Sequence, residues 1–178
     1  VKDNFSGGVY LDIFLEKIVK RKKTVVDALV TISIILSAIL LILFLTMLPF
    51  LQTLIPLLVV GVGYIAYILV RNRNIEYEYI VTNGDLDIDM IIAQRKRKRI
   101  FTGSCQDFEI IAKMTSGQYN NSYDNIKKRI NAVTSMDSQD VYFLVSAKDG
   151  GEKVLVFFEP HPKMVESFKK YIPRKVFE

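Results

Sequence analysis

The chain has 178 residues, half of them apolar, with 24 Lys/Arg against 19 Asp/Glu and a net charge of +5. Residues 1–24 carry six basic and three acidic side chains, residues 25–73 two and one, and residues 74–178 sixteen and fifteen. The basic excess therefore borders an apolar block while the C-terminal part is nearly neutral, which argues against a nucleic-acid-binding surface and for a membrane topology signal.

Residues 9–23 read as a short amphipathic helix at a membrane interface. Leu11, Phe14/Leu15 and Ile18 recur at helical spacing, opposite Asp12, Glu16 and Lys20. The expected N-terminal unit is residues 1–24, with Lys17, Lys20, Arg21, Lys22 and Lys23 set against anionic headgroups.

From Val25 to Val70 there is one charged residue, Asp27. A run of 18 or more apolar residues predicts a transmembrane helix, and this run is about twice that length. Pro49 and Pro56 break it, because proline lacks the N–H that a helix requires and disfavours helix in the residue before it. Two spans follow, about 25–48 and 51–70, within a hairpin unit of residues 25–73. At 1.5 Å per residue they reach about 36 Å and about 30 Å, against a hydrocarbon core of about 30 Å. Ser33 and Ser37 on the first span and Gly61, Gly63 and Ala66 on the second predict close packing of the two. With Lys17–Lys23 before the hairpin, Arg71 and Arg73 after it, and no charge in the turn, the positive-inside rule places both termini in the cytoplasm and the protein in the inner membrane. The first span is too long for the apolar core of a signal peptide. Asp27 closely follows the basic run, so headgroup depth is expected for it rather than an ion-relay position.

Residues 74–178 predict a small β-rich domain. Ile75, Tyr77, Tyr79 and Val81 alternate with Glu76 and Glu78; Asn83-Gly84 turns the chain; Leu86, Ile88 and Met90 then alternate with Asp85, Asp87 and Asp89. Alternation on both sides of Asn-Gly is a hairpin signature. Further strands are expected at 95–101, 108–111, 141–147 and 153–158, the last two joined by a turn at Asp149-Gly150-Gly151. Residues 115–138 predict a long loop holding a short helix around 124–132. A C-terminal helix spans about 160–172, with proline in its first turn and Pro173 after it.

Few residues suggest chemistry. Asp85-x-Asp-x-Asp89 opens like a calcium loop, but Met90 and Lys96 stand where that loop needs Gly and Glu, so a solvated strand face is the better reading. His161 lies between prolines at a helix start, where capping is its ordinary role. Cys105 is the sole cysteine, consistent with a reducing compartment. No phosphate loop, nucleophile elbow or HExxH motif is present, and neither enzyme activity, cofactor nor metal is expected. The basic run Arg95, Lys96, Arg97, Lys98 and Arg99 is the candidate binding segment. It is either a charged strand edge that prevents aggregation or a grip on acidic lipid or an acidic protein partner.

The order of elements resembles bacterial membrane proteins in which a pleckstrin-homology-like (PH-like) domain follows two transmembrane helices, and residues 77–89 (YEYIVTNGDLDID) resemble the first hairpin of such domains. The segments 14–23 (FLEKIVKRKK), 82–100 (TNGDLDIDMIIAQRKRKRI) and 157–176 (FFEPHPKMVESFKKYIPRKV) resemble, more narrowly, an uncharacterised family of small bacterial two-span membrane proteins. The resemblance implies an α+β chain: a two-helix transmembrane hairpin, then a small antiparallel PH-like β domain with a C-terminal helix. It implies binding rather than catalysis, without selecting a ligand. The expected role is an interaction or adaptor module at the membrane surface, whose partners are membrane lipids, a protein partner or a second copy, and not nucleic acid. The alternative is an accessory subunit of a larger membrane complex, such as a transporter, assembled through the hairpin.

Overall fold

The computed structural model describes residues 14–147 and 152–178. The apolar block forms α1 (Val25–Thr46) and α2 (Ile55–Arg71), which pack side by side as a hairpin. Thr24 caps α1, and its Thr-x-x-Asp pattern makes a reciprocal capping box with Asp27. At Leu48 the backbone turns extended, Pro49 opens a 3-10 turn (Pro49–Leu54), and Pro56 sits in the first turn of α2, where its missing N–H costs nothing. Both α1 and the 23-residue helical stretch Pro49–Arg71 are long and apolar enough to cross a membrane. The two helices do not meet through glycine: a Cβ at Gly61 or Gly63 would have nothing within 4 Å. Ser33, Ser37 and Ala66 instead line an open groove along one side of the pair.

The expected N-terminal helix is a strand. Residues Phe14–Lys20 form β1, which pairs antiparallel with β2 (Ile75–Thr82) from Phe14↔Thr82 to Lys20↔Glu76; residues 9–13 of that expectation lie outside the described residues. Over these seven residues Leu15, Lys17 and Val19 share one face, and Val19 enters the core. Its pattern fits both periods at this length, and the β2 edge provides a full set of backbone partners that an isolated turn or two of helix lacks.

β2 continues through a two-residue turn into β3 (Asp85–Ile92), with Asn83 at φ 50° and Gly84 at φ 92°, the mirror-image turn geometry that Asn-Gly favours. β4 (Lys96–Ser104) completes a sheet ordered β1-β2-β3-β4. After a 3-10 turn, β5 (Phe108–Lys113) opens the second sheet, joined by β6 (Lys128–Ala132), β7 (Tyr142–Ser146), β8 (Val154–Phe158) and β9 (Val176–Phe177) in the order β6-β8-β7-β5-β9. This sheet is mixed: β6 runs parallel to β8, and β9 parallel to β5. The short helix expected around 124–132 is instead a 3-10 turn (Asn121–Asn125) followed by β6, which β8 draws into the sheet. The turn expected at 149–151 lies outside the described residues. Helix α3 (Pro162–Tyr171) is capped by His161, whose Nδ1 accepts from the Lys163 N–H at 3.3 Å. Met164, Val165 and Phe168 of α3 enter the main core beside Tyr79, Phe108 and Phe158.

Candidate functional site: the basic end of the sheet

The register of the first sheet brings the basic segments together. β1 ends at Lys20, which faces Glu76 at the start of β2, while Ile75 faces Ile92 at the end of β3 and Ile92 faces Lys96 at the start of β4. The chain enters α1 and leaves α2 at this same end. The β3–β4 turn is tied there by the Ala93 N–H donating to the Asn74 carbonyl at 2.8 Å. Arg95 and Lys96 thus lie beside the foot of the hairpin, and Arg99 sits about 10 Å farther along the strand at about 3.3 Å per residue.

Asp27 is the knot that joins hairpin to sheet. It is buried, and its Oδ2 accepts from the Thr24 N–H and hydroxyl, each at 3.0 Å. Its Oδ1 accepts from Arg21 at 2.8 Å and from Arg73 on the far side of the hairpin. Both oxygens are engaged, so the single acid of the apolar block serves as a clamp. Arg21 also holds the Ile75 carbonyl through its backbone N–H (3.0 Å), and the Lys22 N–H holds Thr134 (2.9 Å). Arg71 turns back onto Tyr67, donating to its hydroxyl at 3.0 Å with the guanidinium 5.8 Å from the ring centroid. Lys17 is half-buried on β1, whereas Lys20, Lys22 and Lys23 are exposed.

β4 is an edge strand, and a bulge explains how five consecutive basic residues can occupy it. Phe101 faces the core opposite Ile88, but the register then slips so that Arg99 faces Asp89 and Ile100 is the extra residue. Without the slip Arg99 would follow Phe101 inward; with it, Ile100 packs on the core and Arg97 and Arg99 turn outward. There Arg97 meets Glu78 at 2.7 Å, and Arg99 meets Asp87 at 2.5 Å and also Asp89. The Asp85/Asp87/Asp89 row is therefore a strand face two of whose acids hold Arg99. Arg95, Lys96 and Lys98 are exposed and in no ion pair among the described residues. The predicted run thus divides into two structural arginines and three free cations.

The same outward face buries Glu78, 1% exposed. Burial raises its pKa above the ordinary carboxyl value, and a hydrogen bond with Glu16 adds to this, with Arg97 opposing. Behind it, the Tyr79 hydroxyl donates to the Ala132 carbonyl and accepts from the Glu159 N–H at 3.3 Å, while the Glu159 carboxylate holds the Thr134 hydroxyl at 2.6 Å. This chain of bonds supports the loop after β6. Residues 133–138 fall in the long loop expected at 115–138, but their place at the hairpin end was not legible, because only the parallel pairing of β6 with β8 carries them there. Cys105 is buried with its thiol donating to the Gly84 carbonyl at 2.6 Å, and burial pushes its pKa up to about 12, so it is no reactive thiolate.

Two antiparallel-to-mixed sheets with a C-terminal helix against their shared core define a PH-like α+β fold, preceded here by two long apolar helices. The chain belongs to the bacterial PH-like domain family (DUF6106), which matches it over residues 11–178, hairpin included. No curated protein and no solved structure matches it.

Proposed function

We propose that this chain is a non-enzymatic adaptor of the bacterial inner membrane: the hairpin spans the bilayer with both termini cytoplasmic, and the PH-like domain presents its basic end to acidic lipid, leaving the rest of its surface for a protein partner. The observation that carries this reading is the register that gathers Lys20, Lys22, Lys23, Arg95 and Lys96 at the end from which the apolar helices leave. A basic residue near an anionic surface contributes about 1 kcal/mol, so several together bias the domain against the headgroups. PH-like folds favour binding over catalysis, in keeping with the absence of catalytic motifs from the sequence.

The test uses the intact protein in lipid nanodiscs with and without phosphatidylglycerol, read by hydrogen exchange across the β3–β4 turn. Protection at residues 93–98 that requires the anionic lipid, and is lost in high salt or on changing Arg95, Lys96 and Lys98 to Gln, supports the reading. Equal exchange in neutral and anionic nanodiscs overturns it. A second reading, an accessory subunit joined through the hairpin, is favoured by the open groove of about 390 Å³ between α1 and α2, where Ser33, Ser37, Ala38 and Ala66 would admit another helix closely. A stoichiometric membrane protein co-purifying in mild detergent, and lost on Ser37→Leu, would support that one.

A further inference from the structure

At the foot of the hairpin, beside the Asp27 knot, lies a cavity of about 720 Å³ that none of these interactions fills. One wall is the linker from Arg21 to Val26 and the other is the loop Val133–Asp137, with Arg73 and Tyr77 between them. The volume falls in the range of small-ligand sites, about 300–1,000 Å³. We propose that this cavity is a binding site for the phosphate of an acidic phospholipid headgroup, distinct from the β4 run and resting on the membrane placement above.

Three observations carry it. The first is charge: Arg21, Lys22, Lys23 and Arg73 line the cavity against Asp27 and Asp137, and Asp27 is already taken up by the two arginines. Lys22 and Lys23 are exposed and in no ion pair among the described residues. The second is unmet donor capacity. A guanidinium has five N–H groups; Arg73 meets Asp27 through Nη2 while its side chain stays 36% exposed along the cavity, which leaves N–H groups for a further acceptor. A phosphate oxygen is the acceptor a guanidinium suits best. The third is the rim. Val25 and Val26, the first residues of α1, are 77% and 63% exposed, and Met136 across the cavity is 47% exposed. A cationic floor with an apolar lip at the start of a spanning helix suits an amphiphile whose acyl chains continue along the helix, which a free phosphate would leave unused.

The experiment is native mass spectrometry of the intact protein released from nanodiscs of phosphatidylcholine with phosphatidylglycerol, counting retained lipid. The test variant is Lys22→Gln/Lys23→Gln; the charge-matched control is Lys127→Gln/Lys128→Gln, two exposed lysines at the opposite end of β6. The expected result is one phosphatidylglycerol retained by the wild type and by the control, and retention lower by on the order of tenfold in the test variant. Slow alkylation of Cys105 in each protein confirms that it is folded. Retention unchanged in the test variant, or reduced equally in the control, overturns the site. Displacement of the lipid by excess inorganic phosphate alone overturns the lipid as the source of the phosphate. Failure of the adaptor reading is separately visible as absent protection at residues 93–98, which this retention does not depend on.

Discussion

Tyr79→Phe removes one oxygen atom from the centre of the domain, and the structure says what it should cost. Tyr79 is fully buried, its ring edge-on to Phe158 with centroids 5.9 Å apart, and the variant keeps that packing. What goes is a hydroxyl that donates to the Ala132 carbonyl and accepts from the Glu159 N–H. Each such bond contributes about 1 kcal/mol net, and leaving a buried backbone group without a partner costs about 1–3 kcal/mol. Phe creates two such groups with little room for water, so the expected loss is about 2–3 kcal/mol, near the ceiling for a substitution that opens no large cavity. A change of that size raises the population of opened states by about 30- to 150-fold. The assay is amide hydrogen exchange of the intact protein, read on peptides spanning β6, the loop after it and residues 154–161. The loop should respond most, because Glu159 also holds Thr134, and Thr134 holds the linker at Lys22. Exchange within about twofold of wild type in these peptides would refute the reasoning, by showing that water or a backbone shift replaces the hydroxyl at no cost.

Three more outcomes follow from the same structure. Cys105, its pKa pushed up to about 12, should alkylate at pH 8 about 10³-fold more slowly in the native protein than in denaturant, where a free thiol has a pKa of about 8.5; timed iodoacetamide labelling checks this, and a native rate within tenfold of the unfolded one would contradict the burial. Gly84→Ala forces a side chain into φ 92° and places its Cβ 3.0 Å from the Tyr171 ring, so it should destabilise by about 1–3 kcal/mol and lower the melting midpoint by several degrees in calorimetry; an unchanged midpoint would mean the turn can flip. For Glu78, a raised native pKa means the folded state holds the proton more tightly than the unfolded one. That contribution is fully present below the unfolded pKa and is lost as pH rises through the folded one, so the stability of wild type relative to Glu78→Gln should increase as pH falls from 7 toward 4. Melting both proteins across that range decides it. A relative decrease on acidification would show that Arg97, rather than burial, governs the group.

Several features of this chain were legible because their causes are local. A long uncharged stretch interrupted by proline makes two helices whatever surrounds it. Asn-Gly between alternating strands turns back on itself at Asn83-Gly84, and His161 before proline caps α3. Long-range pairing settled the rest. Residues 14–20 fit a helix or a strand alone, and the free edge of β2, more than fifty residues away, made them a strand. Likewise, only β8 shows that residues 128–132 are a strand, since parallel partners leave no turn signal between them.

The basic end shows the division most sharply. Composition alone located its charges, at the borders of the hairpin and at residues 95–99, since net charge by segment needs no folding. Which of those charges are free was decided by tertiary structure: a one-residue bulge at Ile100 turned Arg97 and Arg99 onto buried or half-buried acids, and Asp27 took Arg21 and Arg73. Lys20, Lys22, Lys23, Arg95, Lys96 and Lys98 remain exposed and outside any ion pair among the described residues. A sequence counts cations, but an ion pair requires two side chains within about 4 Å. Here that proximity depends on strand register and a loop brought in by a parallel strand, neither of which any local pattern encodes.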